Sequence, residues 1–289
     1  MLSLQDNMTL LLTGLSQGCA YGLIALGFVL IYKATEVVNF AHGEFMMLGA
    51  FAAVTFSSLF GFWIGLVCAA LAVGVVGYLL DAVVMRRIIG QSQASVFILT
   101  VAFGFIFRSI AGMIWGWDLL ALNTPFSGSL DIASVSVRAD RLAIILVTAI
   151  MCVGLYFFFA RSRVGVAMQA ASQNQLAAYY MAIPVKKLVS VVWAIGAIIA
   201  ALAGIFNAPF TQVDTQIGAL GLKALAGAVI GGFGSIPGAL LGCLLIGVAE
   251  PFADYFLPAI KGVSAYILML AVLFIKPEGL IVQTFQKKV

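Results

Sequence analysis

Long apolar runs separated by short polar or basic breaks make up almost the whole chain. Runs long enough to cross about 30 Å of hydrocarbon as helices occupy roughly residues 8–32, 63–85, 94–117, 141–160 and 188–208. A shorter run covers 45–60, the stretch 222–257 is interrupted by Pro237 and many glycines, and a last run covers 259–276. Residues 222–235 would rise only about 21 Å as a helix, so a re-entrant or half-crossing hairpin is expected there. This pattern predicts an all-α polytopic membrane protein, a single transmembrane domain with about eight membrane segments (seven to nine). Composition agrees: 63% of residues are hydrophobic and 9% charged, against about 25% charged in soluble domains. Membrane lipid is therefore a partner, and no nucleic acid is expected.

Glycines spaced four apart, Gly14, Gly18 and Gly22, then Gly234, Gly238 and Gly242, predict close helix packing, because backbones approach in lipid where residues are small. The cysteines Cys19, Cys68, Cys152 and Cys243 lie inside apolar runs with no CxxC pair, which argues against a disulfide framework or zinc site. MLSLQDNMT carries no Lys or Arg ahead of its apolar run, unlike a cleaved leader.

Cations set the expected orientation. Lys33, Arg86, Arg87, Arg161, Arg163, Lys186, Lys187, Lys287 and Lys288 fall on one side if the chain starts outside. That side is the cytoplasm, 118–140 becomes an external loop with a short hairpin or extended piece, and Arg138, Arg141, Lys223 and Lys261 are exceptions.

Two interruptions draw attention. NFAHGEF (39–45) puts Asn39, the single histidine His42, Gly43 and Glu44 between apolar runs. IGGFGSIPG (230–238) holds Gly231, Gly232, Gly234 and Pro237. They stand at corresponding places in halves covering roughly 1–140 and 141–289, as expected of inverted repeats whose broken helices line a solute path. A carboxylate near the bilayer centre is costly, so Glu44 faces water or a cation. Asn39 is expected to cap the helix starting near His42. That the three polar side chains contact solute, or bond to each other and fasten a kink, are compatible readings. Arg108 needs a partner, with Glu44, Glu250 and Asp254 as candidates, and Asp81 is placed to neutralise Arg86 or Arg87.

In the basic-flanked loop 161–187, Ala167, Ala170, Ala171, Asn174, Ala177, Ala178 and Met181 recur at helix spacing, and Pro184 ends the run. Such a face suits a groove on a partner or the lipid surface.

The segments YGLIALGFVLIYKATEVVNFAHGEFMMLGAF, SRVGVAMQAASQNQLAAYYMAI, GLKALAGAVIGGFGSIPGALLGCLLIGVAE and FIKPEGL resemble the permease subunits of branched-chain amino-acid ABC importers, over nearly the whole length. The resemblance implies two cytoplasmic ATPase subunits, a second permease subunit (related or identical), an extracytoplasmic solute-binding protein, and a multi-pass place in the bacterial cytoplasmic (inner) membrane. It implies that 161–187 docks on the ATPase, with Arg163, Gly165, Ala167, Met168, Ala170, Asn174 and Ala177 as coupling residues. Val166 and Gln169 stand where such permeases carry arginine, and Ala182 where they often carry glycine. Urea or short amides are alternative solutes, and a proton-coupled secondary transporter using Glu44 and His42 is a rival mechanism. No GxxxxGK[ST] occurs, so ATP hydrolysis belongs to another polypeptide; no catalytic set, metal or cofactor is expected.

Overall fold

The computed structural model describes residues 4–88, 92–126, 128–132, 135–173, 178 and 180–281. In lipid, backbone groups must be satisfied within the chain, so the apolar runs become helices. These are α1 (Leu4–Thr35), α2 (His42–Phe60) and α3 (Phe62–Leu79), the last continuing through a π-helical turn (Leu80–Met85) to Ile88. Then come α4 (Gln93–Trp115), a hairpin of β1 (Ser129–Ile132) and β2 (Val135–Arg138), and α5 (Ala139–Arg161). The chain ends with α6 (Arg163–Gln173), α7 (Val185–Thr211), α8 (Leu220–Gly231), α9 (Ile236–Phe256) and α10 (Ser264–Ile275). Among the described residues, seven helices are long and apolar enough to cross a membrane, and Ile217–Gly231 and Ser264–Ile275 are shorter apolar helices. The expectation of an all-α polytopic protein with about eight segments holds, and the hairpin falls inside the 118–140 connection.

Helix starts and stops follow local chemistry. Ser92 and Ser235 cap α4 and α9, their hydroxyls accepting from the N–H groups of Ser95 and Gly238 at 3.3 and 3.1 Å. Gly61, at φ 81°, turns the chain between α2 and α3, a conformation that glycine adopts without strain.

Contacts fix the helix directions. A Cβ on Gly14 would meet the Gly247 carbonyl oxygen at 2.7 Å, one on Gly18 the Leu244 Cα at 2.9 Å, and one on Gly22 the Leu240 side chain at 2.6 Å. α1 and α9 are thus antiparallel and nearly backbone to backbone, as the glycine stripe predicted. α3 and α7 are also antiparallel, Gly74 against Ile198 and Gly77 against Trp193. The molecule has a basic end, where Arg86 donates to the Lys186 carbonyl at 3.1 Å. It has an opposite hairpin end, where Phe126 packs on Phe62 and Phe206. If the basic end is the cytoplasmic one, as the cation distribution predicts, a cysteine at Gly128 is expected to be labelled from outside by an impermeant maleimide and one at Ala170 is not; the opposite pattern would invert the topology.

Candidate functional site

The first break re-enters the bundle from the basic end. α1 stops at Thr35, Glu36 takes a left-handed φ of 55°, and residues 37–39 lack regular structure. α2 then begins at His42, well inside the bundle. Gly27 of α1 lies against the His42 imidazole, and Phe28 packs on it with ring centroids 4.5 Å apart. Glu44 reaches the middle of α4: its Cγ is 3.6 Å from where a Cβ on Gly104 would sit. From there α2 rises parallel to α4, Phe51 stacking on Trp115 at the hairpin end. α2 is a 19-residue helix whose N-terminus is buried beside the middle of α4.

Ala41, not Asn39, holds the N-cap position, and no side chain caps the helix. Asn39 closes the turn before it: its Oδ1 accepts from the Ala41 N–H at 3.0 Å, and its carbonyl from the His42 N–H at 3.1 Å. The expected capping role is therefore replaced by an Asx-type turn. Among the described residues no side-chain hydrogen bond joins Asn39, His42 and Glu44; a backbone bond, from the His42 N–H to the Asn39 carbonyl, links the first two.

A second break mirrors the first from the hairpin end. α7 stops at Thr211, Gln212 takes a left-handed φ of 59°, and Val213 pairs with Leu120. The chain dips inward, makes a 3-10 turn at Ile217–Ala219 and begins α8 at Leu220. This turn meets the start of α2. A Cβ on Gly218 would lie 2.7 Å from Glu44 Oε2, and one on Gly221 would lie 2.8 Å from the Gly43 Cα. Two helix N-termini thus face each other at mid-depth, bringing positive dipole ends to one place.

Residues 230–238 occupy a different place. They form the reversal between α8 and α9, with Gly231 against Gly238 and Gly232 against Ile281. Phe233 packs on Tyr32 near the basic end of α1, and Ser235 and Pro237 start α9. The segment facing NFAHGEF is therefore 212–219, and Gly231, Gly232, Gly234 and Pro237 lie away from Glu44. The signal for the true partner was TQVDTQIG, a polar run that reads from sequence as an ordinary connection.

Charge pairing closes the question of Arg108. Its Nη2 donates to Glu44 Oε1 at 2.6 Å, and the side chains are 25% and 9% exposed. Gln216, on the second break, lies 3.5 Å from the same guanidinium. Glu44 Oε2 and Arg108 Nε have no further partner among the described residues, leaving one acceptor and one donor free. Glu250 instead holds Lys223, with Tyr21 donating to it at 2.8 Å and Gln17 at 3.0 Å. Beside this network a cavity of about 290 Å³ is lined by Gln17, Tyr21, Arg141, Asn207 and Thr211. Lys223, an exception among the cations by sequence, is thus paired inside the bundle.

In the basic-flanked loop, α6 turns Gly165, Met168 and Ala171 inward and leaves Arg163, Val166, Gln169 and Ala170 exposed, with Ala167 between. Gly165 sits on the backbone of Phe158 and Phe159. Tyr180 and Met181 are 78% and 77% exposed. Ala182 has φ 58°, a conformation in which glycine is unstrained. Asn174 and Ala177 lie outside the described residues. Among the described residues, no group of three or more His, Cys, Asp or Glu could hold a metal.

Comparison with known proteins agrees with this architecture. The family described as "Branched-chain amino acid transport system / permease component" matches residues 10–274. The chain is 32% identical to the high-affinity branched-chain amino acid transport system permease protein BraD of Pseudomonas aeruginosa, covering 94% of each. It is 29% identical to the corresponding protein LivH of Escherichia coli K12, covering 93% of each. Among solved structures, PsaBC from Streptococcus pneumoniae in complex with Fab superposes with a TM-score of 0.51 at 15% identity, over 92% of this chain and 91% of that one; that likeness concerns the fold. The two inward-facing helix starts, the mid-depth ion pair and the family match lead to one conclusion: this chain is a multi-pass membrane protein belonging to the branched-chain amino acid transport permease family.

Proposed function

We propose that the chain is one permease subunit of an ATP-driven importer that carries branched-chain amino acids inward by alternating access. The observation that carries this reading is the Glu44–Arg108 pair at the meeting of the two breaks, with Arg108 25% exposed halfway along a membrane helix. A charge at that depth faces protein or water, not acyl chains. The face bearing Arg108 and Gln216 is therefore the wall of an aqueous path, completed by a second permease subunit, related or identical. The free Glu44 oxygen and Arg108 Nε complement the ammonium and carboxylate of an amino acid in transit. The two helix starts are expected to part and close in turn as the solute passes, the halves 1–140 and 141–289 acting as inverted repeats.

Drive comes from outside the chain. A solute-binding protein delivers at the hairpin end, and two ATPase subunits grip the opposite end in the cytoplasm of a bacterial inner membrane. The exposed face of α6, with Arg163, Val166, Ala167 and Ala170, is the docking surface, while Gly165 and Met168 anchor it to the bundle. A proton relay through His42 and Glu44 fits less well: His42 is wrapped by Phe28 and Phe45, and Glu44 is engaged by Arg108.

The test is reconstitution. Proteoliposomes with both permeases, the ATPases and the binding protein should accumulate labelled leucine only with ATP inside. Ala170→Glu should remove ATPase copurification and uptake together while membrane insertion persists. Uptake driven by a proton gradient without ATPases would overturn the reading.

A further inference from the structure

A second cavity, of about 790 Å³, lies at the basic end. Its walls come from the start of the first break (Thr35, Val37), the π-helical turn (Asp81, Met85), Arg86, the connection Ile183–Lys187, and Trp193 of α7. Most of this lining is apolar, including Val96 and Val189, but three of its residues carry a buried polar atom with no partner among the described residues: Asp81 Oδ1, Arg86 Nε and Trp193 Nε1. Asp81 is 0% exposed and Trp193 1%. An unpartnered carboxylate oxygen in an apolar wall is unfavourable unless something fills the need, and π-turns inside helices recur at functional sites.

The hydrogen bonds among these side chains narrow what would fit. Ser190 Oγ donates to Asp81 Oδ2 at 2.6 Å and accepts from Arg86 Nη2 at 2.6 Å. The carboxylate and guanidinium are thus held two hydrogen bonds apart, each with an open atom. One open acceptor and two open donors among the lining residues match a compact zwitterion: its ammonium would donate to Asp81 Oδ1, and its carboxylate would accept from Arg86 Nε and Trp193 Nε1. The apolar wall receives an aliphatic side chain. An acyl chain would leave all three atoms unanswered.

We propose that this cavity is a binding site for an apolar α-amino acid acting from the cytoplasmic side. It is separate from the Glu44–Arg108 pair and rests on the functional reading above for the class of amino acid. Its walls join the connection after α6 to the segment leading into α2, so an occupant ties the docking element to the first break. Accumulated product then slows the importer.

The experiment uses the permease–ATPase complex in nanodiscs without binding protein, with labelled leucine measured by equilibrium dialysis. Wild type should bind leucine, and neither leucinamide nor 4-methylpentanoate should compete, each lacking one charge. Asp81→Asn and Arg86→Gln should each weaken binding roughly tenfold or more, and Gly154→Ala, remote from both sites, should not. Two variants are used so that misfolding of one leaves the other decisive. Vesicles preloaded with leucine should show slower initial uptake for wild type and not for Asp81→Asn. Binding unchanged in both cavity variants, or copurified anionic lipid in place of leucine, would overturn the proposal. Intact uptake with no leucine bound in dialysis overturns this inference alone, whereas absence of any amino-acid uptake overturns the function beneath it.

Discussion

Replacing Arg108 by leucine is expected to abolish uptake and to destabilise the protein by about 3 kcal/mol, because it strands Glu44 without its cation in a buried place. Glu44→Gln should be milder for folding: the remaining guanidinium is 25% exposed, while the Glu44 side chain is 9% exposed. The decisive variant is the pair Glu44→Leu with Arg108→Leu. Removing both charges together often restores stability, so thermal melting of the purified double variant should return toward wild type. Uptake should not. Recovery of transport alongside stability would reduce the pair to scaffolding, and a double-mutant cycle on the melting data gives the coupling directly.

Gly43→Ala is expected to prevent assembly of the native bundle. The new methyl would be driven into the Gly218 carbonyl, and the Gly221 Cα lies 3.4 Å from it. These are backbone atoms on a facing helix start, with no flexible side-chain end to swing aside. Overpacking of this kind costs up to about 3 kcal/mol even where side chains can adjust, and here both breaks would have to separate. Two controls frame the result. Gly104→Ala meets Glu44 Cγ at 3.6 Å, an ordinary contact, and Gly154→Ala meets nothing within 4 Å. Yields of folded, monodisperse protein should fall sharply for the first variant and stay near wild type for the controls. Equal yields for all three would mean that the two helix starts are not held together.

Hydropathy made the long helices legible, since a run that spans hydrocarbon has few alternatives to helix. The glycine stripe of α1 was legible for a similar reason. NFAHGEF stood out because polar residues amid apolar ones mark a break, and α2 does begin there. What composition does not encode is depth. The reversal at 230–238 and the break at 212–219 are both true interruptions, but only contacts with α2, far away in sequence, decide which reaches mid-depth. The polar character of Thr211–Gln216 pointed to water, and the tertiary fold put it beside Arg108. Partner choice was equally hidden: three carboxylates could have met Arg108, and Glu250 is occupied by Lys223 and Tyr21 from other helices. Asp81 and Arg86 are bridged by Ser190, a hydroxyl more than a hundred positions away.

The end of α8 carries an implication for biosynthesis. Its last carbonyls, on Ile230 and Gly231, accept from the N–H groups of Leu280 and Ile281 at 2.8 and 3.1 Å. Those donors leave the ribosome only after α9 and α10 have been made. Until then the short helix keeps two carbonyl acceptors without these partners inside the bundle, a costly condition in a membrane. The far end of α8 is therefore completed last, and a nascent chain halted before Lys276 presents an unfinished helix end to membrane quality control.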